Sequence, residues 1–300
     1  MPHGFGRERP GILRRMPTPA PAPGSRIVLL TGASAGIGRE SALRFARAGD
    51  TVVGVAAHEP ALRELAAEQP GVEVEVCDLV DAGQRAALVA RVLDRHGRID
   101  VLVNDAGVAA VGLLHELSAE DVERVYLTNV VAYADLTRLV LPQMLARRAG
   151  AVVMLSSAAA WFSGPPSTVY SSSKFAVDGL VEGLRRETAG TGVLVHSVNP
   201  GPVATDFLVR STGRTVQPGD PEVAPAPGVS PGLVGDAVLE VAAATSPTTR
   251  SVPRVVGLLR LAQLPPVGFV IDLVLGRFAT QAVGVARKLV DDRVRVLTGR

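Results

Sequence analysis

Tyr170 and Lys174 stand four residues apart in the run Tyr170-Ser171-Ser172-Ser173-Lys174, and on a helix that spacing puts both side chains on one face. A phenol has a reference pKa of about 10, too high for proton exchange near neutrality. An ammonium held beside it favours the phenolate and lowers that value. The compact ammonium head can also reach a ribose hydroxyl, a task for which arginine's planar fork has the wrong reach and geometry. The chain is otherwise arginine-based: Lys174 and Lys288 are its only lysines, beside three tyrosines, so chance seldom produces the pair. Ser157 lies upstream at the end of an expected strand, where open α/β sheets bind ligands. A hydroxyl there can hold a substrate oxygen while Tyr170 exchanges its proton, which is acid/base work at an alcohol or a carbonyl.

A second chemical signal is the run Thr31-Gly32-Ala33-Ser34-Ala35-Gly36-Ile37-Gly38. It follows an apolar strand and opens a helix, so backbone N–H groups and a helix N-terminus can face a pyrophosphate. Glycine lets the backbone come close and lets helix and strand pack tightly. The same residues, Gly32-Ala33-Ser34-Ala35-Gly36, also match G-x-S-x-G, the nucleophile elbow of serine hydrolases, with Ser34 as nucleophile. One strand upstream leaves little scaffold for an oxyanion loop, and Gly38 has no place in an elbow. The dinucleotide turn is therefore preferred.

Both signals need strands and helices to hold them. Short β-branched runs at 26–31, 51–56, 72–77, 99–103, 151–156 and 193–198 alternate with helix-like stretches near 36–48, 59–68, 81–96, 118–147, 170–190 and 233–244. Strands alternating with helices predict right-handed βαβ units and a doubly wound α/β fold, a parallel sheet of the Rossmann type covered on both faces. Three segments are expected: a disordered tail at 1–24, a dinucleotide-binding catalytic domain at 25–250, and an apolar C-terminal extension at 251–300 that serves as substrate lid or interface. Residues 211–232 hold five prolines and four glycines and read as a loop. Met16 is an alternative start.

Taken together and in this order, the motifs resemble those of the short-chain dehydrogenase/reductase family, from about Arg26 to Asp206. The run 31–38 resembles its cofactor loop, placing Gly32, Ser34, Gly36, Ile37 and Gly38 at the dinucleotide. Asp78, after Cys77, resembles the acidic position that contacts adenine. Asn104-Asp105-Ala106-Gly107 resembles the family's NNAG with an aspartate in place of the second asparagine, which leaves the turn geometry plausible. Pro200, Gly201, Val203 and Thr205 resemble the segment that holds the nicotinamide. The resemblance implies that Tyr170 is the acid/base and that Lys174 lowers its pKa and binds the nicotinamide ribose. It further implies that Ser157 orients the carbonyl and that Asn129 anchors a relaying water. The protein supplies orientation, and the cofactor carries the hydride.

Composition narrows the alternatives. A formal charge of +2 without a long basic block argues against nucleic acid. The single Cys77 excludes an intrachain disulfide and fits a reducing, cytoplasmic compartment; five scattered histidines predict no metal site. No uninterrupted apolar run is long enough to span a bilayer, although contact with a membrane surface stays open. The second strand ends in Ala56-Ala57 rather than the carboxylate that binds a ribose 2′-hydroxyl, so NADP(H) is expected over NAD(H), with His58 and Arg39 as the nearest cations. The apolar segment 254–278 predicts a lipophilic substrate. Trp161 fits a pocket wall or core packing equally. The resemblance implies a homodimer or homotetramer built on the helices 118–147 and 170–190. A catalytically idle nucleotide-binding scaffold is the second functional class, disfavoured by the intact Ser157, Tyr170 and Lys174.

Overall fold

The computed structural model describes residues 26–207 and 228–265. The expected N-terminal tail, the lid loop up to residue 227 and the apolar segment past residue 265 lie outside the described residues.

Seven strands form one fully parallel sheet in the order β3-β2-β1-β4-β5-β6-β7. They are β1 (Ile27–Thr31), β2 (Thr51–Ala56), β3 (Val72–Val76), β4 (Val101–Asn104), β5 (Gly150–Leu155), β6 (Val193–Pro200) and β7 (Thr249–Val252). The helices are α1 (Gly36–Arg47), α2 (Glu59–Glu68), α3 (Ala82–His96), α4 (Ala119–Tyr126), α5 (Ala132–Arg147), α6 (Thr168–Glu187) and α7 (Pro231–Ala242). This is the doubly wound Rossmann-type architecture, with the switch in strand order between β1 and β4.

Side chains alternate across a strand, and the two apolar cores follow that alternation. Val28 and Leu30 of β1, Val101 and Val103 of β4, and Ala151, Val153 and Leu155 of β5 pack on one face with Phe45 of α1 and Val234 and Val238 of α7. Leu29, Leu102, Val152 and Met154 point to the other, against Leu88 of α3, Leu136 and Val140 of α5 and Val177 of α6. Burial on both faces explains why these strands read as continuous apolar runs.

Two departures from the sequence reading bear on the site. The stretch 118–147 is not one helix: a π turn, Leu127–Val131, separates α4 from α5 and carries the buried Asn129. Such wider turns concentrate at functional sites. The seventh strand was not anticipated, and it straddles the division drawn at residue 250. It pairs with β6 through Ser197–Pro200, so the sheet continues into the segment assigned to the extension. Beyond it, Arg254–Gln263 forms 3₁₀ turns that leave Val255, Leu258 and Leu261 exposed by 64%, 63% and 52%. Among the described residues no helix is long and apolar enough to cross a membrane.

Candidate active site

The C-terminal ends of the strands open into a cleft of about 990 Å³, the upper end of the range for small-molecule sites. Its near wall is the loop between β1 and α1. Gly32 takes φ +76° and Gly36 φ +54°, conformations that side chains rarely adopt. Gly32, Ser34, Gly36 and Ile37 line the cleft. Gly38 does not: a Cβ there would sit 2.2 Å from the Gly32 carbonyl oxygen, so this glycine closes the turn from behind. Ser34 therefore faces a nucleotide-sized cleft. A hydrolase elbow would need a base beside it, and none of the chain's histidines is bonded to it among the described residues.

The β4 turn is tied to this loop by a residue the sequence reading passed over. Thr31 Oγ1 accepts from the backbone N–H groups of Asp105 (3.0 Å) and Ala106 (3.1 Å) and donates to the Val103 carbonyl (3.3 Å). Ala106 and Gly107 reach the cleft wall. Asn104 stays beneath it, fully buried, with Nδ2 donating to Thr137 Oγ1 (3.2 Å), and so braces β4 against α5. Asp78 lines the cleft in a turn closed by its own Oδ1, which accepts from Val80 N–H at 3.0 Å. On the opposite side Pro200, Gly201, Val203 and Thr205 line the cleft. This segment is anchored by a bridge from Val203 to Val229, and Thr205 Cγ2 would meet a Cβ on Gly36 at 3.3 Å.

The reactive groups gather deeper in. Tyr170 and Lys174 sit on α6 with Ser171 between them on the same buried side, and Ser157 caps the 3₁₀ turn Ala158–Ala160 after β5 by accepting from Ala159 N–H at 3.1 Å. Ser157 and Tyr170 both line the cleft, and the serine hydroxyl is close enough to the phenol to pull its pKa downward. Lys174 Nζ donates to the Leu155 carbonyl at 2.8 Å and lies over the rings of Tyr133 (5.3 Å) and Tyr170 (5.8 Å). Asn129 is outside the cleft wall: Oδ1 accepts from Val108 N–H, and Nδ2 donates to the Val108 carbonyl and to Ser173 Oγ, all at about 3 Å. Its side chain locks the π turn to Val108, in the loop after β4, and to α6.

Electrostatics differ from the sequence expectation in one respect. Burial pushes the Tyr170 phenol up to about 12, with the nearby Asp105 carboxylate adding to the rise and the Ser157 hydroxyl opposing it. The Lys174 ammonium is held by the Leu155 carbonyl and lies 5.8 Å from the centre of the Tyr170 ring. Burial lowers Lys174 itself to about 8, against the pull of Asp105 and Asp178. Burial also pushes the Cys77 thiol up to about 11, which leaves it unreactive.

The cleft's substrate end is apolar and was largely missed. Val108, Phe162, Pro165, Phe207 and Leu259 line it together with Arg124, and Phe207 packs on Tyr170 with ring centroids 5.7 Å apart. No motif marks such residues, since their order in the chain has no fixed spacing. Trp161 is not among them. It is buried, its Nε1 donates to Asp178 Oδ2 at 2.9 Å, and the Arg260 guanidinium stacks on it at 4.5 Å. Asp178 also accepts from Asn199 Nδ2, which reaches the Ser157 carbonyl at 3.4 Å, and Gln263 Nε2 donates to the Ala160 carbonyl at 3.3 Å.

A glycine turn at the switch point of a parallel sheet, leading to a hydroxyl pair and a buried ammonium, defines a Rossmann-type dinucleotide-dependent oxidoreductase. The chain belongs to the short-chain dehydrogenase family, whose model matches residues 26–214; its members act on CH–OH or carbonyl groups with NAD(P). It is 34% identical over 189 residues to the 3-oxoacyl-[acyl-carrier-protein] reductase FabG of Thermotoga maritima, covering 62% of this chain and 77% of that protein. It is 37% identical over 190 residues to 2-keto-3-deoxy-L-fuconate dehydrogenase of Xanthomonas campestris, covering 63% and 61%. Among solved structures, a short-chain dehydrogenase from Streptomyces avermitilis superposes with a TM-score of 0.69 at 30% identity over 87% of this chain and 99% of that one. A metagenomic short-chain oxidoreductase in complex with NADP gives 0.63 at 27% identity over 77% and 98%.

Proposed function

We propose that this protein reduces the carbonyl group of a lipophilic substrate with NADPH, Tyr170 acting as the proton donor. The observation that carries this reading is that Ser157, Tyr170 and Lys174 line the same cleft as the glycine turn, beside apolar walls. The residues fit a dinucleotide: Gly32 and Gly36 take positive φ and line the cleft, and Asp78 and Thr205 line it with them. When bound, the dinucleotide supplies or accepts the hydride. The protein's part is to hold and move one proton. Ser157 Oγ and Tyr170 Oη together grip the substrate oxygen, and negative charge developing there is met by their hydroxyl protons. Tyr170 then releases its proton to that oxygen. Lys174, buried behind the ring, holds the nicotinamide ribose, and Asn129 acts as a positioning residue that fixes the α4–α5 turn against α6.

Three further points belong to this reading. His58 lines the cleft after β2, where Ala56 and Ala57 stand instead of a carboxylate. Its Nδ1 accepts from Ala61 N–H at 3.4 Å, which leaves Nε2 as a donor toward a 2′-phosphate. Arg39 is not at the cleft wall; it is ion-paired with Glu68, so His58 carries the NADP(H) preference. A lipophilic substrate is supported by Phe162, Phe207 and Leu259. Exposed Val131, Leu145 and Phe175 on the π turn, α5 and α6 support a homodimer or homotetramer.

The test is oxidation of NADPH and NADH, followed spectrophotometrically across short polar and long-chain aldehydes and ketones. Turnover is expected with NADPH in preference to NADH and with the apolar carbonyls, and the Leu259→Ser variant should lose much of the chain-length preference. Dinucleotide binding without turnover of any carbonyl would favour the idle scaffold.

The protonation state sets a direction. A phenol raised to about 12 is protonated at neutral pH, so it is ready to donate in carbonyl reduction. Alcohol oxidation needs it as a base, and its ionised fraction grows about tenfold per pH unit below that value. Initial rates in both directions between about pH 6 and pH 10 are expected to show oxidation climbing with pH and reduction level or falling. An oxidation rate independent of pH would contradict this.

A further inference from the structure

The substitution of aspartate for asparagine at position 105 is not a neutral change of turn residue. Asp105 is partly buried and lines the cleft between Gly32 and Ala106. The Gly38 backbone N–H lies beside its carboxylate and pulls its pKa downward. Cβ atoms placed on Gly32 and Gly38 would lie 2.8 Å and 2.6 Å from Asp105 Oδ2, so this oxygen occupies the underside of the glycine turn. Thr31 Oγ1 holds the Asp105 backbone N–H and fixes the side chain's origin. An asparagine in the same place would present a neutral amide to the turn; this chain presents an ionisable one.

We propose that Asp105 is a proton-linked positioning residue for the dinucleotide, its carboxylate taking up one proton from solvent as the diphosphate settles on the glycine turn. The inference rests on the reading of that turn as a dinucleotide site. Its physical basis is like-charge repulsion in a region shielded from water: a second anion brought beside a buried carboxylate favours the protonated acid. The acid keeps a carbonyl oxygen for Gly38 N–H, so the turn holds its shape while the site loses one negative charge. Burial has already raised this carboxyl to about 7 in the free protein, so the remaining step falls within the physiological range.

The groups facing Asp105 are consistent with this. From α6, Lys174 opposes the rise of its pKa. Tyr133 of α5 and Tyr170 of α6 are both pushed up by its charge, so its protonation also relieves the phenol that donates the proton. From α1, Arg39 and Glu40 are paired elsewhere, with Glu68 and Arg44, and Gly38 contributes only its N–H.

Calorimetry of ADP-ribose binding in buffers of differing ionisation enthalpy tests the proposal. This probe carries the diphosphate and has no group that titrates near neutrality. At a pH of about 7.5 the wild-type protein is expected to take up most of one proton on binding, and its Kd should rise about fourfold between pH 6 and 7.5. Asp105→Asn should lose most of that uptake and most of the rise in Kd, leaving only the foot of the Lys174 titration near the top of the interval. Binding by the wild type without proton uptake overturns the proposal, as does equal uptake in the variant. Should Asp105→Asn not fold, Asp105→Ser replaces it, and the wild-type uptake decides on its own. No binding of ADP-ribose by the wild type would overturn the dinucleotide reading itself, an outcome distinct from binding without uptake.

Discussion

Replacing Tyr170 by phenylalanine is expected to lower kcat by about a hundredfold to ten-thousandfold, the usual contribution of a positioned general acid, while the Kd for NADPH stays at the wild-type value. In free energy that is about 3–5 kcal/mol of transition-state stabilisation. The change deletes one oxygen. The ring remains against Phe207, the helix keeps its register, and Lys174 keeps its bond to the Leu155 carbonyl. Only the proposed donor to the substrate oxygen is lost. Steady-state kinetics with the best carbonyl of the panel, together with fluorescence titration of NADPH, separate the two effects. A variant within about tenfold of wild-type kcat would remove Tyr170 from the role given to it here.

The largest expected effect on stability lies far from the cleft. Arg26 and Asp50 form an ion pair with side-chain exposures of 2% and 0%. The guanidinium Nη2 donates to Oδ2 at 2.6 Å and Nε reaches both carboxylate oxygens. The Arg26 backbone N–H donates to Oδ1, and Nη1 donates to the Ala242 carbonyl. The pair thus joins the start of β1, the turn leading into β2 and the end of α7. Asp50→Ala leaves the guanidinium buried without its counter-charge, and losing one partner of such a pair costs about 3–5 kcal/mol. A urea titration should show that loss in the midpoint. A change below about 1 kcal/mol would mean that the arginine finds water or another acceptor at little cost.

Neither the Arg26–Asp50 pair nor the Thr31–Asp105 tie can be read along the chain. Their partners are distant in sequence, and each residue type is unremarkable where it stands. What the sequence does display is local. Short β-branched apolar runs mark β1, β4 and β5, helix periodicity marks α1, α3 and α6, and the glycine turn and the Tyr170–Lys174 spacing are short-range patterns. From these the sheet, its winding and most of the cleft wall follow. β7 escapes because its four residues include three polar or charged ones, Thr249, Arg250 and Ser251. The π turn escapes because one extra residue in a helix leaves the apolar pattern nearly unchanged. Gly38, Asn104 and Asn129 stand where the motifs put them along the chain but face away from the cleft, because a motif records position and not which wall a side chain turns to. Asp105 is the reverse case: it looked like a tolerated exchange, and only its burial beneath the glycine turn shows what the added charge does.

The chain has one tryptophan, and its place gives the protein a built-in optical probe. The indole of Trp161 touches Asp178 through its N–H, lies under the Arg260 guanidinium, and follows the turn that Ser157 begins. A cation seated on one face and a carboxylate at the nitrogen shift and quench indole emission. The ultraviolet fluorescence of the unlabelled protein therefore signals whether the stretch bearing Arg260 is docked beside the reactive serine. Stopped-flow records of that emission can show whether this contact changes during turnover, with no dye attached and no second indole to confuse the trace.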